Sequence, residues 1–530
     1  MHPTEWLLTA VERANPATRL DSRHRDGSAW SAGNDVVPLI HGRCYFLQLA
    51  ACVDEMRAGD LLLFTDWRGD PDQRVNDDVT VAELFSRAAS RGVGVKGLMW
   101  RSHLDRLAFS EQENRHLGEE IEAAGGECLR DMRVLPGGSH HQKFVVLRHP
   151  GRPELDVAFV GGIDLCHSRR DDDNHEGDVQ RQPMARVYGH RPPWHDVQLA
   201  IRGPAVGDVE TVFRERWEDP APLTRNPVNF VADLLRREDR TPGALPPQLP
   251  DPEPRGHQTV QLLRTYPPRL QGYPFAPKGE RSVARANRKV LSHARRLIYV
   301  EDQYLWSEEV ARCFVDALRA SPQLRMIVVI PHYPDVDGGV SLPPNEVGRR
   351  LAIEPILAAG GERVAVYGPE NRAGTPVYVH AKVCVVDDLW CSVGSDNVNL
   401  RSWTHDSELA CAVVPDDPMG SADVPGSEQD PMTLARDIRL RLAREHLDRA
   451  AGDDADLIDP VDAFNAFAES ADRLEAWTRA GRGGARPPGR LRPYRIPDLS
   501  EKTRAWATPV YRAMLDPDAR SRSLRRAGDF

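Results

Sequence analysis

Long apolar runs are missing from this 530-residue sequence. No stretch approaches the ~20 apolar residues that a transmembrane helix requires, so the sequence predicts no membrane-spanning segment. The first twenty residues, MHPTEWLLTAVERANPATRL, have too short an apolar run and too many early charges for a signal peptide. We therefore expect a cytoplasmic protein that meets a membrane only peripherally, at an interface.

An excess of positive charge is missing as well. The net charge of −10 gives no global attraction to nucleic acid, so no nucleic-acid partner is expected. The eight cysteines form no C-x-x-C pair and no zinc spacing, which favours buried free thiols in a reducing compartment. No phosphate-binding glycine loop or G-x-S-x-G element competes for the function. The sequence therefore predicts neither a cofactor nor a metal site.

One motif is present twice. His-x-Lys occurs at residues 141–143 and at residues 380–382, and the second copy continues as His-x-Lys-x4-Asp to Asp387. Two imidazoles and two ammonium groups can supply the nucleophile, the acid and the positive charge that cleave a phosphodiester without metal. A three-residue pattern arises by chance, but two copies in matching surroundings indicate a duplicated unit.

The surroundings of the two copies repeat in order across a proline-rich segment, residues 241–257, which predicts an extended linker. Each side reads as strand, amphipathic helix, strand, glycine-capped helix and strand, then His-x-Lys, a hairpin and a strand that begins at an acidic residue. This pattern predicts an α/β protein with two tandem αβα-sandwich domains, each with a mixed central sheet, related by a pseudo-twofold. The predicted units are residues 1–240, the linker, residues 258–450 and an extension, 451–530, of unknown role.

The segments around both motifs resemble the phospholipase D superfamily, and within it the two-motif enzymes that act on phospholipids. HHQKFVV, VAFVGGIDL and PWHDVQLAIRGPAV carry the resemblance in the first half, and LIYVEDQYLW, VHAKVCVVDD and GSDNVNLRSWTHDSELA carry it in the second. The resemblance extends from about residue 60 to about residue 449 and implies an active site at the interface of the two domains. Arg148 departs from it by replacing the Asp of the first motif, and Asp156, across the hairpin, is the candidate substitute.

The resemblance also implies roles for the motif residues. His141 is the expected nucleophile, and His380 is expected to protonate the departing alcohol and then to activate water. Lys143 and Lys382 would hold the phosphate oxygens, where other phosphoryl-transfer enzymes use Mg²⁺.

A nucleophilic imidazole must be fixed in one tautomer by a partner on its other nitrogen. The resemblance pairs Asp196 with His141 and Glu408 with His380 in this role. Asp164 occupies a phosphate-proximal position, although an ionised carboxylate suits the orientation of a lysine or histidine better than donation to phosphate. The remaining candidates are the motif carboxylate Asp387 and the substrate-binding residues Ser395, Asn397, Trp67 and Tyr304.

Two other features have less specific interpretations. The segment at residues 167–176 carries two histidines and several carboxylates, but their order lacks any recognised ligand spacing, which favours a solvated loop over a cation site. Core packing explains Trp67 and Tyr304 as well as a substrate pocket does.

We therefore expect a monomeric phospholipase D without an obligate protein partner. It would hydrolyse a phosphatidylcholine-like lipid to phosphatidic acid and alcohol through a phosphohistidine, and would also transfer the phosphatidyl group to alcohols. The alternatives are a phosphatidyltransferase of the cardiolipin synthase kind, a nuclease or other phosphodiesterase, and an inactive lipid-binding module. The missing membrane anchor counts against the transferase, and the acidic balance counts against the nuclease.

Overall fold

The structure is a computed structural model that describes residues 3–24, 26–102, 111–236, 241–416 and 432–530. The strands are β1 Ser31–Ile40, β2 Leu61–Asp66, β3 Gly94–Trp100, β4 Glu127–Asp131, β5 Phe144–Arg148, β6 Val157–Gly161, β7 Trp194–His195, β8 Val197–Arg202, β9 Gln258–Tyr266, β10 Glu280–Arg281, β11 Leu297–Glu301, β12 Arg325–Val329, β13 Val364–Pro369, β14 Tyr378–Val379, β15 Val383–Val386, β16 Trp390–Gly394, β17 Glu408–Pro415 and β18 Leu491–Pro493. The helices are α1 Pro3–Trp6, α2 Ala10–Arg13, α3 Gly42–Asp54, α4 Val81–Ser90, α5 Glu111–Ala123, α6 Ala205–Trp217, α7 Pro227–Arg236, α8 Ser282–His293, α9 Glu308–Ala320, α10 Leu342–Gly360, α11 Leu400–Thr404, α12 Leu434–His446, α13 Pro460–Arg479, α14 Glu501–Val510 and α15 Arg522–Ala527.

One mixed sheet runs through both halves of the chain. Its order is β18-β13-β12-β11-β15-β16-β17-β9-β1-β8-β6-β5-β2-β3-β4, and β10 pairs with β9 beside this path. In the first half β2, β3 and β4 are parallel, whereas β5, β6, β8 and β1 are antiparallel. The second half repeats this arrangement with β11, β12 and β13, followed by β15, β16, β17 and β9. The α/β class with mixed strands is therefore confirmed, while the pseudo-twofold and the domain boundaries stay predictions.

The central strands are apolar on both faces because helices cover both faces of the sheet. Every residue of β2 (LLLFTD) is buried. Leu61 and Leu63 belong to one core cluster, and Leu62 and Phe64 to the core on the opposite face. This alternation is that of a strand between two helical layers, and each such side chain stabilises the fold by ~1.5–3 kcal/mol.

Helix α4 shows how local chemistry sets the length of these covering helices. Thr80 and Glu83 form a capping box at its start, and the chain turns at Gly92, whose φ is +89°. Between these ends the apolar residues recur at helical spacing and are buried on the sheet.

The C-terminal extension is part of the same fold. Helix α13 packs beside β18, which pairs antiparallel with β13 at the edge of the sheet, and α14 lies against α10. Residues 241–257 form neither helix nor strand. Most of the eight cysteines are buried free thiols. Among the described helices, none combines the length and the apolar character that crossing a membrane would need.

Candidate active site

His141 lies in the segment that enters β5. Its backbone N–H donates to the Ser407 carbonyl at 2.9 Å, and its Nδ1 lies 2.9 Å from Oε2 of Glu408, the first residue of β17. Glu408 is completely buried and also accepts a hydrogen bond of 2.5 Å from the Ser395 hydroxyl. Because a carboxylate accepts, His141 donates from Nδ1, so Nε2 is the nitrogen that is free to lose or gain a proton.

His380 has the same arrangement with another carboxylate. Its backbone N–H donates to the His195 carbonyl at 2.7 Å, and its Nδ1 lies 2.6 Å from Oδ2 of Asp196. Asp196 is completely buried and accepts a further hydrogen bond from the Val197 amide at 2.9 Å. The tautomer of His380 is therefore fixed in the same way.

The pairing of histidines and carboxylates is the reverse of the one expected: Glu408 serves His141, and Asp196 serves His380. The physical reason is that the two halves are interwoven at the site. Strand β7, which precedes Asp196, pairs in parallel with β14, which precedes His380, and the mirror pairing joins His140 to Ser407. Each carboxylate therefore lies against the histidine of the other half.

The two lysines occupy matching positions immediately before β5 and β15. Lys143 Nζ donates to the carbonyl of His141 at 2.9 Å, and Lys382 Nζ donates to the carbonyl of His380. Both lysine side chains are nearly completely buried. Each ammonium group therefore folds back onto the backbone carbonyl of the histidine in its own motif.

The neighbours of Lys143 are a carboxylate and an aromatic ring. Asp164 Oδ1 lies 3.4 Å from Nζ, and the centroid of the Trp67 ring lies 5.9 Å from it. Burial alone would raise the pKa of Asp164, but Lys143 and Arg169 outweigh burial and hold that pKa below its ordinary value. Burial and the Asp164 charge raise the pKa of the adjacent Asp66 well above its ordinary value. An ionised Asp164 beside a neutral Asp66 can orient Lys143 and cannot donate to phosphate.

Lys382 has a different set of neighbours. Its Nζ lies 3.2 Å from Oε1 of Gln303, a neutral amide. Burial lowers the pKa of Lys382 to about 8, even though Asp196 acts in the opposite direction. Burial also lowers the pKa of His380 well below its ordinary value, and the charges of Lys382 and Arg169 lower it further. His380 is therefore neutral at physiological pH when the site is empty.

A cavity of about 590 Å³ opens beside His141 and Glu408. Two stacked aromatic pairs stand in its wall: Trp67 with Trp100, 5.5 Å apart between ring centroids, and Tyr304 with Trp306, 4.1 Å apart. Trp67 and Tyr304 therefore border the cavity and are not confined to core packing.

The two remaining substrate-binding candidates differ. Asn397 borders the cavity, and its Oδ1 has no hydrogen-bond partner among the described residues, as suits a group that would contact a ligand. Ser395 does not reach the cavity: it is completely buried, and its hydroxyl is committed to Glu408. Ser395 donates to the carboxylate that holds His141, and a role in substrate binding stays a prediction.

Asp387 lies at the opposite end of β15 from His380. Its carboxylate accepts hydrogen bonds from the backbone N–H groups of Arg295, Arg296 and Leu297, at 2.8, 2.8 and 2.9 Å. These contacts tie the hairpin to the start of β11. Strand β15 separates Asp387 from the imidazole, so these contacts are structural, and a catalytic role for Asp387 stays a prediction.

Arg148, at the matching place in the first half, is buried in an ion cluster. Its Nε lies 3.1 Å from Asp156 and its Nη1 lies 3.3 Å from Glu210. Asp156 also accepts the backbone N–H of His149 at 2.6 Å, so it organises its own hairpin and does not take over the contacts of Asp387. The departure from the motif is thus confined to the hairpin, away from His141.

Sequence reasoning missed several residues around the site. Arg169 lies 3.1 Å from Asp164 and stacks 3.9 Å from the centroid of the Trp194 ring, which in turn packs 5.0 Å from the His380 ring. Only the basic pair after the GGIDL turn could have indicated it. Three residues of the C-terminal extension also line the cavity, and no motif marks them: Val510, Met514 and Leu515.

The loop at residues 167–176 is not uniformly solvated. His167 is at the surface, where its Nε2 lies 2.9 Å from the exposed Asp72. His175, by contrast, is 2% exposed and points into the protein. The expectation of a solvated loop therefore holds for part of the segment and is wrong for His175.

Comparison with known proteins shows what this chain is similar to. The family model described as phospholipase D matches residues 69–264. The chain is 26% identical over 458 residues to phospholipase D alpha 1 of Cynara cardunculus, covering 64% of this chain and 55% of the relative. It is 27% identical over 457 residues to phospholipase D beta 1 of Arabidopsis thaliana, covering 63% and 42%. A solved structure titled phosphatidylserine synthase, from Haemophilus influenzae, matches with a TM-score of 0.48 at 12% identity, covering 74% of this chain and 85% of that one. The chain thus spans about half the length of the curated relatives it matches.

Proposed function

We propose that this chain, which is similar to phospholipase D over residues 69–264, is a phosphodiesterase that cleaves the headgroup ester of a phospholipid at a membrane surface. The observation that carries the proposal is the pair of imidazoles at residues 141 and 380. Each is held at Nδ1 by a completely buried carboxylate, and each has a lysine folded beside it. Such a pair supplies a nucleophile and an acid with anion-binding groups already in place.

In the proposed reaction, Nε2 of His141 attacks phosphorus and forms an N–P bond while the bond to the headgroup oxygen breaks. His380 gives a proton to the departing alkoxide. It then takes a proton from water, which attacks the phosphohistidine, releases phosphatidic acid and restores His141. Lys143 and Lys382 balance the charge on the non-bridging oxygens throughout.

We assign the nucleophile to His141 because it borders the cavity through which a lipid phosphate would arrive. His380 is deeper and neutral in the empty site. A bound phosphodiester anion would offset the charges of Lys382 and Arg169, which lower the pKa of His380, and would so favour its protonation.

One observation favours the opposite assignment. A neutral imidazole is the nucleophilic form, and burial together with two cations keeps His380 neutral in the empty site. Trapping the covalent intermediate by rapid acid quench or alkali denaturation, followed by peptide mapping, distinguishes the two assignments. Phosphate on the peptide that contains His141 supports our assignment, and phosphate on the peptide that contains His380 reverses it.

A lipid substrate fits the composition of the cavity. Stacked aromatic pairs and aliphatic side chains from the C-terminal extension form much of its wall, and Arg401 adds a cation. These surfaces suit acyl carbons beside a charged headgroup, and we propose a phosphatidylcholine-like substrate with the protein bound peripherally as a monomer.

The experiment uses phosphatidylcholine vesicles with a primary alcohol added. The proposal predicts free choline and phosphatidic acid, together with the phosphatidyl alcohol expected when an alcohol replaces water at the phosphohistidine. His141→Ala and His380→Ala should each abolish turnover, whereas His167→Gln, a surface histidine paired with a carboxylate, should retain it.

Three outcomes would contradict parts of the proposal. Undiminished turnover by either alanine variant would exclude the two-histidine mechanism. Release of nucleotides from DNA or RNA without lipid cleavage would indicate a nuclease. Vesicle binding without any product would indicate an inactive lipid-binding protein.

A further inference from the structure

Behind the Asp196–His380 pair lies a second group of buried histidines that the proposed chemistry does not use. It consists of His41 at the start of α3, His175 in the loop before β7, His195 in β7 and Glu445 in α12. The three histidines are at most 3% exposed and the glutamate side chain is 9% exposed. Their facing donor atoms all lie within 4.8 Å of one another. No sequence spacing links these four positions.

All three imidazoles converge on the single carboxylate. His41 Nε2 lies 2.7 Å from Glu445 Oε2, whereas His175 Nε2 and His195 Nδ1 lie 2.9 and 3.3 Å from Oε1. The ring centroids of the three histidines are 4.8 to 5.6 Å apart. One carboxylate therefore faces three imidazole nitrogens.

In two of these rings, the contact of the outer nitrogen, which points away from Glu445, constrains the protonation of the inner nitrogen, which faces Glu445. His175 Nδ1 faces the Trp194 carbonyl at 3.2 Å, and His195 Nε2 faces the Glu301 carboxylate at 2.6 Å. Both of those oxygens can only accept, so both outer nitrogens carry the proton. The inner nitrogens then either carry a second proton or direct lone pairs at a cation that they share with the Glu445 carboxylate.

We infer that His41, His175, His195 and Glu445 bind a divalent metal ion of the zinc class. Zinc bonds of ~2.0–2.2 Å place tetrahedral ligands about 3.3 Å apart, and the imidazole nitrogens lie 2.7 to 3.3 Å from the carboxylate. Three imidazoles and one carboxylate are ligands typical of Zn²⁺ and unlike the all-oxygen ligands of Ca²⁺ or Mg²⁺. The ion would be held by four protein ligands, which is the coordination of a structural site.

The surroundings match those of metal-binding histidines. Such histidines usually donate their outer N–H to a carboxylate or a carbonyl, which His195 and His175 both do. Glu301 is itself held by His446 Nε2 at 2.7 Å and by the Tyr299 hydroxyl at 2.5 Å. Moreover, His41 and His175 adopt φ of +69° and +55°. These backbone conformations are costly for non-glycine residues. They persist where the surrounding structure holds them, which is common at functional sites.

The ion would stabilise the geometry of the proposed active site without entering the reaction. His195 precedes Asp196, and its carbonyl accepts the backbone N–H of His380 at 2.7 Å. The backbone N–H of His41 donates to the Asp196 carbonyl at 2.9 Å. Binding all these residues to one ion, together with Glu445 from α12, would fix the segment that presents Asp196 and join the first half of the chain to the second.

The test measures bound metal and is independent of lipid turnover. The full chain, purified without a metal-affinity step, is analysed for metal, stripped with a chelator and titrated with Zn²⁺ or Co²⁺. We expect one equivalent per chain, with the visible absorption of four-coordinate Co²⁺. His175→Gln should weaken binding by at least about tenfold, while His167→Gln, from the same loop, should bind as the unmodified chain does.

A second variant guards against misfolding of the first. Glu301→Gln keeps all four ligands but removes the carboxylate that holds the outer N–H of His195, and should weaken binding by about tenfold. If the stripped chain takes up neither Zn²⁺ nor Co²⁺ stoichiometrically, the inference is wrong. Equal uptake by His175→Gln and His167→Gln would also overturn it.

Discussion

The two half-sites have the same backbone arrangement but different charges. Lys143 faces an ionised carboxylate, Asp164, and lies over an aromatic ring. Lys382 faces the neutral amide of Gln303, and Asn397 takes the place that Asp164 has in the first half. A duplicated scaffold has thus kept one ammonium group 3.4 Å from a carboxylate and placed the other against an amide, with the Asp196 charge acting on it electrostatically. The difference suits a site in which one lysine is positioned firmly and the other is available to an incoming anion.

The hairpins after the two motifs differ in a complementary way. In the second half, Asp387 binds three backbone N–H groups ahead of β11. In the first half, the start of β2 is held by an ion pair of 2.5 Å between Arg152 and Asp60, and Arg148 is buried between two carboxylates. One hairpin is therefore fixed by backbone hydrogen bonds and the other by ion pairs, and neither arrangement extends to the imidazoles.

The largest expected effect concerns the exchanged carboxylates. Glu408→Gln should disable His141, and Asp196→Asn should disable His380, because an amide can hold the ring in the wrong tautomer. By analogy with histidine–carboxylate pairs in other enzymes, each variant should lower kcat by about 10²- to 10⁴-fold.

Peptide mapping of the trapped phosphohistidine, with a pH profile of kcat, tests which histidine each carboxylate serves. Under the proposed mechanism, Glu408→Gln should abolish formation of the intermediate, whereas Asp196→Asn should also slow its breakdown. Ser395→Ala, which removes only the hydroxyl donor to Glu408, serves as the milder control. Unchanged kcat in Glu408→Gln would contradict the exchanged pairing.

The second expected effect is on stability and tests the hairpin comparison. Arg148→Met removes a buried cation from Asp156 and leaves Glu210 paired with Arg214 alone, and should lower the free energy of unfolding by ~3–5 kcal/mol. Asp387→Ala leaves three backbone N–H groups near the surface, where water can replace the carboxylate, and should cost ~1–2 kcal/mol.

Both variants should retain kcat at a temperature where they remain folded. Chemical denaturation measures the free energies, and turnover measured on the same samples provides the control. A loss of kcat in folded Asp387→Ala would show that the motif carboxylate acts on the imidazole after all.

The smallest effect is a pH dependence that originates in one half-site. Burial lowers the pKa of Lys382 to about 8, so its ammonium form is present below that pH and is lost as the pH rises through it. Because phosphate binding requires the charged form, kcat/KM should fall about tenfold per pH unit above that value. Lys382→Arg retains its charge over this range and should remove the alkaline decline, although at lower overall activity. An alkaline decline unchanged in Lys382→Arg would assign it to another group.

Local patterns predicted much of the fold. The apolar strands, the capped helices and the glycine turns repeat in order on both sides of the linker, because each is specified by neighbouring residues. The exchange of Asp196 and Glu408 could not be predicted in this way, since both copies carry the same residue types and a repeat does not show which copy meets which. The cavity wall from residues 510–515 and the histidine cluster around Glu445 depend on contacts between distant segments. Such contacts produce no repeating pattern in the sequence.

The exchange of carboxylates also has a consequence during synthesis of the chain. His141 precedes Glu408 by 267 residues, so the first half leaves the ribosome with a histidine that has no carboxylate to orient it. The pair of His141 and Glu408 is complete only after β17 has been made and has taken its place in the sheet. In a nascent chain, or in one truncated before Glu408, His141 has no carboxylate to orient it. The proposed activity on lipids therefore requires that folding is nearly complete.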